Sequence, residues 1–73
     1  MAAVRRDRFL RELFGAREAF RSWLVAYPKR VKDHLAGYNG WVLVDGKKLV
    51  VNWDNPVEIN NKIKELKKML GVQ

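Results

Sequence analysis

Lys29, Arg30 and Lys32 crowd three cations into four consecutive positions, and a hairpin further along carries Trp41 near Lys48. Side chains of these types in this pattern suit binding rather than covalent chemistry. They neutralise phosphates, and an indole beside a lysine can stack on an unpaired base or lie along a sugar edge. The inventory for covalent chemistry is thin: one Ser, no Thr, no Cys, a single His and no phosphate-cradling glycine loop. No pair of carboxylates is placed by a recognisable motif, so no catalytic residue is assigned and a non-enzymatic role is expected. Without cysteine and with His34 alone, no metal site and no cofactor is expected.

The charge supports the same emphasis. Fifteen Lys and Arg against eight Asp and Glu give 73 residues a formal charge of +7, a strong field for so small a body and attractive to polyanions. Nine basic and four acidic residues precede Tyr38, and six and four follow, so the excess leans toward the N-terminal half. A single domain of this length buries only about 60% of its extended surface, which leaves little room for an enclosed catalytic cavity. The longest apolar runs, such as Trp23 to Tyr27, fall far short of the roughly 20 residues of a membrane span, and no membrane partner is expected. The opening lacks an apolar signal core, and Asp7, Glu12 and Glu18 with so little Ser argue against an organelle transit segment. A cytoplasmic, intracellular, non-secreted protein is expected.

The elements that must position these residues read as an α+β fold in one domain, 1–73. Val4 to Tyr27 repeats Phe9, Leu13, Ala16, Phe20, Trp23, Leu24 and Tyr27 at three- and four-residue steps. This predicts a helix over about 4–26, or two helices meeting at Gly15; the periodicity fits both. Pro28 disfavours a helical Tyr27 and suits the first turn of a new helix, so a short helix is predicted over 28–36, with Val31 and Leu35 inward and Gly37 ending it. His34 would then cap or complement that helix end.

A β-hairpin is predicted over 41–53, turning at Asp45-Gly46. That turn sets Val44 against Lys47, Val42 against Leu49, Gly40 against Val51 and Tyr38 against Trp53. One face is then apolar, and the other carries Trp41, Leu43, Lys48, Val50 and Asn52. A last helix is predicted over 56–70, with Asn55 or Asp54 as its cap, Pro56 in its first turn and Gly71 after its end. Its seam of Ile59, Ile63, Leu66 and Leu70 suits either packing on the hairpin and first helix or a homodimer through a short coiled coil.

The order of elements adds a family likeness. Val31-Lys32-Asp33-His34-Leu35, then Gly37-Tyr38-Asn39-Gly40, then the hairpin, with Phe20, Leu24 and Ala26 before them, resembles the winged helix-turn-helix DNA-binding domains over roughly Phe20 to Trp53. The likeness implies that Lys29, Arg30, Lys32 and Asp33 lie in or beside the major groove, and that Lys47 and Lys48 touch phosphate or minor groove from the wing tip. Gly37 to Gly40 also resembles the GXXG loop of KH RNA-binding domains, but helix termination followed by a turn explains those glycines equally. A solvated basic helix beside an ordinary hairpin in another αβ fold fits the residues as well.

Binding to nucleic acid, with duplex DNA favoured over RNA, is therefore the expected function, in transcription or DNA architecture. The competing expectations are a small basic RNA-bound protein of a ribonucleoprotein such as the ribosome, a protein-binding adaptor or inhibitor, and a structural subunit built on the last helix. If about six phosphates are contacted, raising salt from about 50 to 200 mM weakens binding roughly a thousandfold.

Overall fold

The computed structural model describes residues 2–36 and 39–72, with side chains described for 7–35 and 40–72. Helix α1, Ala2–Ala26, is followed by three strands, β1 (Val31–Ala36), β2 (Asn39–Val44) and β3 (Lys47–Asn52), and by helix α2, Pro56–Leu70. The strands form an antiparallel sheet in the order β1-β2-β3. Both helices cover one face of it, giving two layers and an α+β architecture.

α1 runs unbroken through Gly15. A Cβ at that position would meet nothing, so the glycine lies on the open side of the helix while Leu13, Ala16, Phe20 and Leu24 continue the buried stripe past it. Among the described side chains, Leu13 is the first buried residue of α1. Phe9, predicted to face inward, is 45% exposed, and Leu10 and Phe14 are exposed too. Contacts at both ends show that α2 runs in the same direction as α1. Arg17 meets Trp53 and Asp54 just before α2 begins, and Lys67 near its end lies over Trp23.

The largest departure from expectation is at 28–36, where the predicted helix is absent. Tyr27 to Arg30 form a tight turn, closed by Arg30 and Val31 N–H groups donating to the Tyr27 carbonyl, and β1 follows. The inward pair Val31 and Leu35 could not distinguish the two, because residues four apart share a face in a strand as well as in a helix. Tertiary pairing decides. A helix of nine residues is below the length that sustains itself in water, whereas β2 offers an unpaired edge. β1 takes it in full register, from Val31 opposite Val44 to Ala36 opposite Asn39. The winged-helix arrangement thus lacks the helix it would insert into a groove. Gly37 and Tyr38, expected to end that helix and to face Trp53, lie outside the described residues.

The hairpin has the predicted register, with Val44 opposite Lys47, Val42 opposite Leu49 and Gly40 opposite Val51. Asp45 at φ 52° and Gly46 at φ 85° supply the two left-handed residues of its turn. Gly40 also faces the other neighbour of β2, opposite Leu35 on β1. A Cβ there would lie 2.5 Å from the His34 carbonyl oxygen and 2.9 Å from Leu35 Cδ2, so only glycine lets Leu35 fold across the strand.

The core joins the inward sheet positions Val31, Val42, Val44, Leu49 and Val51 to Phe20, Trp53 and the apolar side of α2. Ile59, Ile63, Leu66 and Leu70 are all buried in it, which corrects the alternative of a dimer seam: those side chains are spent on the hairpin and α1. Trp53 is core, edge-on to Phe20 at 5.9 Å, whereas Trp23 is only half-buried and stacks on Tyr27. α2 is capped as predicted. The Asn55 side chain accepts from the Val57 and Glu58 N–H groups, and Gly71 closes the other end at φ 77°.

Candidate nucleic-acid interface

Alternation along each strand sends every second side chain away from the helices. Among the described side chains, the outward positions are Lys32 and His34 on β1, Trp41 and Leu43 on β2, and Lys48, Val50 and Asn52 on β3. Register arranges them in rows across the sheet: Lys32, Leu43 and Lys48 in one, His34, Trp41 and Val50 in the next. No carboxylate occupies any of these positions. Lysines on both outer strands thus flank an apolar and aromatic centre.

The structure divides the residues singled out in the sequence. Lys32, Trp41 and Lys48 come together on the outer face. Asp33 and Lys47 alternate to the opposite side, where both are solvent-exposed. Lys29 and Arg30 lie in the turn before β1, at the end of the sheet where the β2–β3 hairpin also turns.

Arg30 is not the free cation that its place in a basic run implied. Its Nε donates to Asp45 Oδ1 at 3.0 Å, its Nη2 to Asp45 Oδ2 at 2.7 Å, and its Nη1 to the Leu70 carbonyl at 3.3 Å. One guanidinium thereby ties the start of β1 to the hairpin tip and to the last turn of α2, whose carbonyl needs a donor. The hydrogen bond from Arg30 holds the Asp45 carboxyl below the ordinary carboxylate value, and the same bond raises Arg30.

Trp41 is held between its neighbours. The His34 imidazole, from β1, stacks on it at 5.1 Å with 25° between the planes, and Lys48 Nζ, from β3, lies 5.8 Å from the ring centre. Because these partners come from strands on opposite sides of β2, the indole stands between them and offers its outer edge to a ligand. A base stacked flat on Trp41 would have to displace one of them.

His34 is the residue that sequence reasoning placed wrongly, as a helix-end residue. No clear signal marked it: in Val31-Lys32-Asp33-His34-Leu35-Ala36, Asp33 falls in the inward set and Ala36 in the outward one, so hydrophobicity does not alternate with a period of two. Compared with protein-family models, with characterised proteins and with solved structures, the chain matches none of them.

Proposed function

We propose that this protein is a nucleic-acid-binding module that applies the outer face of its three-stranded sheet to duplex DNA. The observation that carries the reading is the composition of that face: Lys32, His34, Trp41, Leu43, Lys48, Val50 and Asn52 point outward, and none is acidic. An ordinary solvated sheet face mixes both signs of charge. This one has only the sign that suits a phosphate backbone.

Shape supports a groove. Neighbouring strands are about 4.8 Å apart, so the axes of the two outer strands are roughly 10 Å apart, and the face can lie over a B-form major groove about 12 Å wide with its central outward side chains directed into it. Strands reading a groove through their side chains are an established mode of DNA recognition. In that placement Lys32 and Lys48, on the two outer strands, reach the flanking backbones. Trp41, Leu43 and His34 face the groove floor, where apolar contact with thymine methyl groups and hydrogen bonds to base edges are available.

The deep, narrow major groove of A-form RNA does not admit a sheet of this width. Single strands are bound mainly by stacking bases on open aromatic faces, and one face of Trp41 is covered by the His34 imidazole. A fluorescence-anisotropy comparison of duplex DNA, single-stranded DNA and duplex RNA at equal salt tests the proposal. Duplex DNA is expected to bind most tightly, and equal affinity for all three would overturn groove recognition.

A further inference from the structure

Where β1 begins and the β2–β3 hairpin turns, Lys29, Arg30, Lys32, Leu43, Asp45 and Gly46 surround an open depression of about 300 Å³. We propose that this depression is a phosphate-binding site, which on the reading above holds one internal backbone phosphate of the duplex and fixes how the sheet sits in the groove. Three observations converge on it.

The first is charge. Asp45 is matched by Arg30, while among the described residues neither Lys29 nor Lys32 has a carboxylate within 4.0 Å. The depression therefore carries two positive charges in excess. The second is preorganisation. Arg30 is already fixed by Asp45 and the Leu70 carbonyl through Nε, Nη1 and Nη2, and a guanidinium has five N–H groups, so two remain for a ligand without any loss of side-chain freedom. The third is access. Gly46 adopts a left-handed φ of 85° and a Cβ there would meet nothing within 4 Å, so the rim on the hairpin side is open. Lys32 belongs both to this depression and to the outward row with Leu43 and Lys48, which makes a phosphate held here continuous with the proposed groove surface.

The test is an amide chemical-shift titration of the full chain with inorganic phosphate, at ionic strength held constant with sodium chloride. Saturable shifts at millimolar phosphate are expected at residues 29–32 and 45–47, and Lys29→Ala with Lys32→Ala should abolish those at 45–47 while the rest of the spectrum stays that of the folded protein. Shifts spread equally over Lys62, Lys64, Lys67 and Lys68 of α2, or none that saturate, would overturn the site. A parallel titration with duplex DNA separates this inference from the reading it rests on. If the duplex moves Trp41, Leu43 and Lys48 but free phosphate moves nothing, the site fails and groove binding stands. If phosphate saturates residues 29–32 and 45–47 and the duplex leaves Trp41, Leu43 and Lys48 unmoved, groove binding fails and the anion site stands. Duplexes with and without a 5′-terminal phosphate should bind equally, and a requirement for that phosphate would overturn the assignment to an internal diester.

Discussion

Replacing Lys32 and Lys48 together by alanine is the most direct perturbation of the proposed surface. Both side chains are exposed, on opposite outer strands of one face, and neither supports the core, so the variant should fold with unchanged helix content. Each lysine that neutralises one phosphate contributes about 0.9 to the slope of log affinity against log salt. Lys29, Lys32 and Lys48 are the cations assigned to phosphates on this face and in the depression at its end, and none has a carboxylate partner among the described residues. The expected slope is then about −2.7 for the unaltered protein and about −0.9 for the double variant. Between 50 and 200 mM salt the unaltered protein should lose about 40-fold in affinity, well below the thousandfold that six contacts would give. At 150 mM the double variant should bind about 30-fold more weakly, and at 50 mM about 200-fold more weakly. Anisotropy on a duplex of about 20 base pairs at four salt concentrations measures both quantities. Lys64→Ala with Lys68→Ala, on the exposed side of α2, removes the same charge from another surface. If that control flattens the slope as much as the sheet variant does, the outer face is not the binding surface and the reasoning fails.

Other consequences concern the scaffold. Gly40→Ala should cost about 1–3 kcal/mol, because the new methyl group overlaps the β1 backbone; the midpoint of thermal unfolding should fall by about 4 °C or more, and an unchanged midpoint would contradict the close approach of β1 to β2. Ile63→Lys puts an unpaired charge into the core and should cost about 3 kcal/mol or more, so circular dichroism should show unfolding; a well-folded variant would show that the seam is not core. Asn55→Ala removes the acceptor for two N–H groups of α2 and should lower stability by about 1 kcal/mol in urea denaturation. Asp45 titrates below its ordinary value of 3.8 in the folded state, so its pairing with Arg30 stabilises the protein above that value and the contribution disappears as pH falls through the lower, folded value. Asp45→Asn should flatten the acid limb of a stability–pH profile, and an identical acid limb would mean the ion pair contributes nothing.

Much of this protein is determined locally. Asp45-Gly46 fixes the hairpin register because only residues tolerant of positive φ close a two-residue turn, and that register sorts Trp41, Leu43 and Lys48 onto one face. Asn55, Pro56 and Gly71 delimit α2 for equally local reasons. The unbroken α1 was one of two readings; the choice came from packing, since the buried stripe continues on both sides of Gly15 and the helix backbone is held by it.

What the tertiary structure alone decided is the state of 31–36 and the partner of Arg30. Val31-Lys32-Asp33-His34-Leu35-Ala36 has too few residues to form a helix by itself and too weak a pattern to refuse one, so its conformation was set by the free edge of β2, whose backbone groups it satisfies. That pairing carried His34 and Lys32 onto the face of Trp41 and turned Asp33 away from it. Arg30 and Asp45 are fifteen residues apart, and no local periodicity links them. They meet because the turn before β1 and the tip of the hairpin close the same end of the sheet, a proximity that exists only once three strands have paired.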